Sequence, residues 1–473
     1  MILIFANHGF HYEIERLFRS FFSPLKIEMS FDKADAKGEY CLTERIERGS
    51  GWTLSAELKT ERECYFASED IPAGESEKEQ ERVLSVLLFK VLREYTGKSM
   101  PWGILTGVRP VKLLANMQDS YAEGKLMVSA RKLALARKIN RVQRPLIASM
   151  PERSYSLYIS VPFCPTRCSY CSFVSHSVDK AAGRMDEYVD RLVDELKYTA
   201  DMAEKLELRL DTIYVGGGTP TTLSAEQLKK VFAALDRFDR SHVREFTVEA
   251  GRPDTITREK LEVIKAAGAD RISVNPQTMR DSVLKAIGRQ HTSQQTEDAY
   301  DLAREVGFRS INMDLIAGLP EDDLEGFRYS LQRVCALSPD NITVHSLSLK
   351  RAAALFGEAE IGSNSDVAAM IDYTHKLLSE EGYAPYYLYR QKNTVDNQEN
   401  TGYALTGTES LYNMYIMEEI QTILAVGAGA STKLVDTSTG RIERICNHKY
   451  PYEYLDRFNE IIEKKQAVFG FFS

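Results

Sequence analysis

Residues 157–171 read Leu-Tyr-Ile-Ser-Val-Pro-Phe-Cys-Pro-Thr-Arg-Cys-Ser-Tyr-Cys. A short apolar run, 157–161, opens through a proline onto three cysteines within eight residues. A run of that length suits a buried strand and is too short for a helix. The form recurs downstream. Residues 212–215 lead into Gly216-Gly217-Gly218-Thr219-Pro220, and 246–249 end in Glu249. Residues 271–274 lead into Asn275-Pro276-Gln277, 310–315 carry Asp314, and 341–348 end in Ser348. Between these runs, residues 185–205, 224–238, 257–267, 293–306 and 323–336 space their apolar side chains as helices do. Ser224 opens one of them with an N-cap signature. Strands alternating with helices predict an α/β fold with a parallel, barrel-like sheet and right-handed crossovers. Ligands of such sheets sit at the C-terminal strand ends. The chemistry-bearing residues fall there.

Outward from this core the pattern changes. Residues 1–150 read as a separate α+β domain, with strands near 1–5 and 51–58 and helices near 79–95 and 130–141. Residues 151–355 form the barrel-like region. Residues 356–473 read as a mixed C-terminal region covering the substrate: a helix over 366–381, a polar, turn-rich stretch over 393–407, and one amphipathic helix over 452–465.

The 473 residues carry 60 Lys and Arg against 68 Asp and Glu, a net charge of −8. That balance argues against a protein-wide nucleic-acid groove, and the basic stretch 131–144 reads as a solvated helix face. No run of about 18 apolar residues suggests a membrane span. The N-terminus lacks a basic start and a small-residue cleavage site, so cytoplasmic residence is expected. Seven cysteines then do not imply a disulfide framework.

Cys164, Cys168 and Cys171, separated by three and then two residues, can converge on one centre from a single loop. A structural zinc would need a fourth ligand, for which His176 is the nearest candidate. A [4Fe–4S] cluster on three cysteines leaves one iron open to a cofactor. The pattern Cys-x3-Cys-x-Tyr170-Cys resembles the radical S-adenosylmethionine (SAM) superfamily. The Gly216–Thr219 turn can bring backbone groups close to a ligand, or can be only a tight turn. Together with Tyr158-Ile-Ser-Val-Pro-Phe-Cys164, Arg271-Ile-Ser-Val-Asn-Pro-Gln277, Ala286-Ile-Gly-Arg289 and Asn312-Met-Asp314-Leu-Ile-Ala-Gly-Leu-Pro320, it resembles the oxygen-independent coproporphyrinogen III oxidase family. The match covers about residues 155–350, with traces to about 435.

The resemblance implies a partial (β/α)6 radical SAM barrel with Cys164, Cys168 and Cys171 on a [4Fe–4S] cluster. Tyr158, Gly217, Glu249 and Ser348 would contact the SAM on that cluster. Tyr170, Gly218, Thr219, Gln277, Arg289 and Asp314 would surround a second SAM. Simpler readings exist beside these: a Glu249 held by Arg or Lys, and an internal Arg289–Asp314 ion pair. The implied reaction is oxidative decarboxylation of coproporphyrinogen III to protoporphyrinogen IX, with a flavodoxin- or ferredoxin-type electron donor. Heme trafficking and methyl transfer to a tetrapyrrole are the rivals. Lys350 and Arg351 are candidates for substrate carboxylates. The chain departs from the family at Ser160, where a histidine is usual, at Glu249-Ala-Gly-Arg-Pro253, at Asn275-Pro-Gln277 and in its long N-terminal unit. It also lacks the His and Trp of the heme-chaperone signature near Glu399-Asn-Thr-Gly-Tyr403. These departures mark a divergent subgroup.

Overall fold

The apolar runs pair as their alternation with helices requires. The computed structural model describes residues 1–22, 27–171, 176–178, 182–348, 366–391, 394 and 397–472. Its contacts divide the chain into two compact units, Met1–Asn140 with Tyr389–Gln398, and Arg141–Leu388 with Glu399–Ser473. The C-terminal residues 399–473 thus pack as part of the barrel unit.

That unit is built on eleven strands: β1 (Ser154–Val161), β2 (Arg209–Gly217), β3 (Glu245–Gly251), β4 (Arg271–Val274), β5 (Ser310–Ala317), β6 (Asn341–Ser346), β7 (Ala384–Arg390), β8 (Glu399–Ala404), β9 (Thr422–Val426), β10 (Ser431–Asp436) and β11 (Arg441–Cys446). Their order in the sheet is β7-β8-β6-β5-β4-β3-β2-β1-β9-β10-β11. β1 to β6 are neighbours in sequence order and parallel throughout, the partial (β/α)6 barrel. Helices connect them. Those starting at Ala225 and Ser293 are opened by capping boxes, Ser224 with Gln227 and Thr292 with Gln295.

Three features depart from the sequence reading. β9 pairs parallel with β1, so a seventh parallel strand comes from the C-terminal region. The stretch read as turn-rich contains β8, antiparallel to β6. The helix expected over 452–465 is two, Pro451–Asp456 and Phe458–Lys465. The second carries the buried Lys465, 3.2 Å from Glu195 of the first barrel helix, Met185–Lys205. Glu195 also accepts from Gly427 N–H, Asn447 and Tyr454, so the buried pair has its remaining hydrogen-bonding capacity used.

Ser160 has a packing explanation. Its Oγ donates to Ala428 O at 2.8 Å, and a Cβ on Gly427 (φ +94°) would stand 2.5 Å from Ser160 O. β9 comes so close that a small residue fits there.

In the first unit the strands order as Glu28–Ser30, Ile2–Ala6, Tyr40–Arg48, Gly51–Lys59 and Cys64–Pro72. Helices His11–Phe22 and Glu77–Thr96 share one apolar core with this sheet, through Phe18, Phe21, Leu84, Leu88 and Leu92 among others. The basic stretch is not a uniformly solvated face. Lys132 is buried, its Nζ 5.8 Å from the Trp102 ring centre, and Arg137 is bonded to Asp119 and to the Leu114 and Met117 carbonyls. Tyr389–Gln398 completes this unit, with Arg390 N–H donating to Val108 O at 2.8 Å.

Candidate functional site

A strand buried on both faces has no place for polar side chains unless they line a lumen. Five barrel strands each hold a half-buried side chain in the C-terminal half of a mostly buried run, Tyr158, Tyr214, Glu249, Asp314 and His345, with the half-buried glycines Gly217 and Gly251 at the ends of β2 and β3. On β4 the half-buried residue is Asn275, just beyond the strand. These positions trace the mouth of the barrel.

The cysteine loop leaves β1 into this mouth. Thr219 N–H donates to Phe163 O and Gly218 N–H to Val161 O, both at 2.7 Å. A Cβ on Gly218 would stand 2.5 Å from Phe163 O and 2.9 Å from Phe163 N, so only glycine lets the two backbones meet. Thr219 Oγ1 donates to Cys164 Sγ at 3.5 Å. On the other side, Ser169 N–H donates to Ile287 O and Thr166 Oγ1 to Gly288 O, each at 3.1 Å. The loop is held between the end of β2 and the turn that follows the helix Asp281–Ala286.

Glu249 accepts from Tyr214 O–H at 2.5 Å, and a Cβ on Gly216 would sit 3.0 Å from its carboxyl carbon. Burial raises its pKa to about 7; the Tyr214 bond opposes that rise and Asp314 adds to it. Its partner is a tyrosine, with no ion pair to Arg or Lys among the described residues. Tyr214 stacks on Tyr412 with ring centres 4.2 Å apart, and Tyr158 lies 6.2 Å from Tyr214. Tyr412 belongs to the helix Leu411–Glu418, whose N-terminus is fixed by the buried Glu245 accepting from Ser410 Oγ and Leu411 N–H.

Asp314 accepts from Asn312 Nδ2 at 2.7 Å and stands 3.9 Å from His345 Nε2. Arg289 donates to Asn275 O at 2.5 Å and to Tyr170 O–H at 3.3 Å, and lies beside His291 Nε2 at 3.1 Å. The simpler ion-pair reading fails: among the described residues Arg289 and Asp314 do not pair. Burial, with the nearby Arg289 charge adding to it, drives the His291 pKa down to about 4. Gln277 (φ +69°) joins the network through its backbone, donating to Asp314 O and accepting from Ile316 N–H. Ser348 is half-buried just past β6.

The structure therefore gathers two sets, the cysteine loop with Gly218, Thr219, Tyr170 and Arg289, and Glu249 with Asp314, Tyr158 and Gly217. His176 lies against the C-terminal region, its Nδ1 bonded to Tyr452 O–H and its ring packed on Tyr450 and Tyr452. Lys350 and Arg351 lie outside the described residues. Tyr214, Tyr412, His345 and Asn275 were not foreseen. The first, like Asn312 and Thr343 beside their neighbours, shares a strand face with a residue two positions away, so period-two alternation could have flagged it.

Four polar atoms at the mouth are buried without a hydrogen-bond partner: Ser169 Oγ, Asn275 Oδ1, Gln277 Oε1 and Arg289 Nε. Buried polar groups are rarely left so, each costing about 1–3 kcal/mol. Among the described residues no three Cys, His, Asp or Glu side chains are already gathered as a metal site. The donor chemistry fits an iron–sulfur cluster nonetheless, with three thiols on one clamped loop. The orphaned atoms fit a polar cofactor beside it.

The radical SAM superfamily pattern matches residues 158–332. The oxygen-independent coproporphyrinogen-III oxidase-like protein HemZ of Bacillus subtilis (strain 168) is 40% identical over 436 residues, 87% of this chain and 86% of that protein. The chain belongs to the oxygen-independent coproporphyrinogen III oxidase-like family of radical SAM proteins. Membership implies a [4Fe–4S] cluster and SAM. The heme chaperone HemW of Bacillus subtilis is 31% identical over 311 residues, 63% of this chain and 77% of that protein. The fold matches that of coproporphyrinogen III oxidase (HemN) from Escherichia coli, with a TM-score of 0.54 at 23% identity, covering 68% of this chain and 72% of that one. No helix among the described residues is long and apolar enough to cross a membrane.

Proposed function

We propose that the chain catalyses the oxygen-independent oxidative decarboxylation of coproporphyrinogen III to protoporphyrinogen IX. The observation that carries this is the 40% identity, over most of both chains, to a protein described as coproporphyrinogen-III oxidase-like. Each of two propionates would lose a hydrogen atom from its β-carbon to a 5′-deoxyadenosyl radical, and the resulting substrate radical would release CO2 and pass one electron to a one-electron acceptor, leaving a vinyl group. A cluster with SAM, when bound, supplies the 5′-deoxyadenosyl radical that abstracts such a hydrogen.

The chain's own residues have the remaining tasks. Cys164, Cys168 and Cys171 would ligate the cluster. Gly217 offers backbone groups without a side chain in the way, Glu249 suits an ammonium or a ribose hydroxyl, and Tyr158 and Ser348 flank them. Tyr170, Gly218, Thr219, Gln277, Arg289 and Asp314 would hold a second SAM; Arg289 suits its carboxylate and Asp314 its ammonium or ribose. The buried strands around the mouth exclude water from the reacting C–H. We further propose a cytoplasmic location and a flavodoxin- or ferredoxin-type electron donor.

Anaerobic turnover of reconstituted protein with reductant, SAM and coproporphyrinogen III tests this reading, with Cys168→Ala as control. Tri- and dicarboxylic porphyrins formed with 5′-deoxyadenosine, and absent from the control, are expected. A cluster-containing protein that yields no decarboxylated product would refute it. The similarity to proteins described as heme chaperones favours a second reading, heme trafficking. Heme binding without 5′-deoxyadenosine release in the presence of coproporphyrinogen would select it.

A further inference from the structure

Between Glu249 and Gly251 the register of β3 on β4 shifts by one residue: Glu249 faces Ser273, Gly251 faces Val274, and Ala250 is the extra residue of a β-bulge. Gly251 takes a left-handed conformation (φ +62°) that its lack of a Cβ permits. Arg252 N–H then turns back to Ala250 O at 2.7 Å, and Asn275 N–H closes the bulge on Gly251 O at 2.8 Å. One residue more or fewer turns every following side chain to the opposite face. The bulge is what aims Arg252.

Arg252 is 3% exposed, and its guanidinium spans two partners. Nε and Nη2 form a fork with Asp254 at 3.0 and 2.6 Å. Nη1 donates to Thr166 Oγ1 at 2.6 Å and to Thr166 O at 3.3 Å. Thr166, between Cys164 and Cys168, donates its own hydroxyl to Gly288 O at 3.1 Å. Asp254 balances the buried charge, and the remaining donor reaches across the mouth to the loop. A salt bridge that only stapled the turn after β3 would leave Nη1 to solvent.

We infer that Arg252 is a positioning residue that, through Thr166, holds the cysteine loop in the shape needed for its three thiols to share one cluster. The inference rests on the reading that Cys164, Cys168 and Cys171 ligate that cluster. A planar fork is what the place requires: one donor pair fixes the guanidinium on Asp254 while the third nitrogen holds the loop. Lysine, a single point donor, can satisfy one of these partners at a time.

The full chain, purified without added iron, is compared by hydrogen exchange as wild type, Arg252→Met, Arg252→Lys and Thr166→Val. Loss of a charge-assisted buried bond corresponds to about a tenfold change in local opening. Amides of residues 166–171 in Arg252→Met and Thr166→Val should exchange about tenfold faster, with β1 and β3 protected as in wild type and Arg252→Lys intermediate. In reconstituted protein a chelator should strip iron faster in the same order, and the reduced cluster's electron paramagnetic resonance signal should broaden. Wild-type exchange rates in the loop of Arg252→Met, or faster exchange spread equally over the barrel strands, would overturn the inference. A wild type that binds no iron or sulfide refutes the cluster reading separately, because the exchange comparison needs no cluster.

Discussion

The two sides of the barrel mouth are built by different means. On the β1–β2 side the backbone does the holding: Gly218 and Thr219 N–H groups bond the cysteine loop directly, and a Cβ at Gly218 has nowhere to go. On the β5–β6 side the work falls to polar side chains, Asn312, Asp314 and His345, with Gln277 joining by its main chain. Backbone contacts tolerate almost no change of side chain but are insensitive to pH. Side-chain networks tolerate substitution in size yet respond to charge. The difference predicts that variants on the first side fail by losing the loop, whereas variants on the second keep the loop and lose ligand recognition.

The largest effect should come from Gly218→Ala. A methyl 2.5 Å from Phe163 O forces the two backbones apart, an overpacking that costs about 3 kcal/mol. Iron content after reconstitution should fall to a small fraction of wild type, with a lower urea midpoint. Iron retained at wild-type level would show that the loop is not seated by this contact. Asp314→Asn, by contrast, should retain iron and lose at least tenfold in SAM affinity, a loss on the scale of about 2 kcal/mol for charge-assisted bonds. Equal iron loss in both variants would erase the proposed distinction between the two sides.

Glu249 lies where the two sides meet and brings pH dependence with it. Its pKa is raised from the ordinary carboxylate value to about 7, so the folded chain holds a proton there that the unfolded chain releases. The sign is then fixed: stability falls as pH rises from about 4.5 through 7, and the loss is complete above 7. For a half-buried group the change is about 2 kcal/mol after allowing for solvent screening. Glu249→Gln should flatten this part of the stability curve, measured by urea unfolding without ligand at pH 5 and pH 8. Parallel curves for the two proteins would mean the carboxyl titrates near its ordinary value.

How far the sequence carried the fold follows the same division. β1 to β6 were legible because each is a compact apolar run between helical stretches. β8 was not, because Glu399, Asn400 and Thr401 look like loop residues; burial is possible since Glu399 meets His375 at 3.1 Å and Asn400 accepts from Ser346 N–H. β9 was not foreseen, since nothing local says that it will add to β1 from over 250 residues away. Arg252 was visible only as a departure from a family pattern, and its role depends on a one-residue bulge that propensities do not encode. The cysteines and glycines stood out because their chemistry is local. Tyr214 did not, because a tyrosine in an apolar run reads as core.

Tyr214→Phe offers the finest test, because it removes one oxygen and keeps the ring. The stack on Tyr412, 4.2 Å between centres, should survive, so the unfolding midpoint should move little. What changes is the donor to Glu249. The Tyr214 hydroxyl favours the charged carboxylate, so its loss raises the Glu249 pKa above its value of about 7. If Glu249 receives the ammonium of SAM, binding requires the carboxylate, and affinity rises with pH through that pKa. The variant should therefore bind SAM roughly threefold to tenfold more weakly at pH 7, consistent with about 1 kcal/mol for one hydrogen bond, and approach wild type by about pH 9. Calorimetric titration of the reconstituted protein across that range resolves the midpoint. An unchanged midpoint with uniformly weaker binding would assign Tyr214 to packing and leave the carboxylate tuned by burial and Asp314 alone.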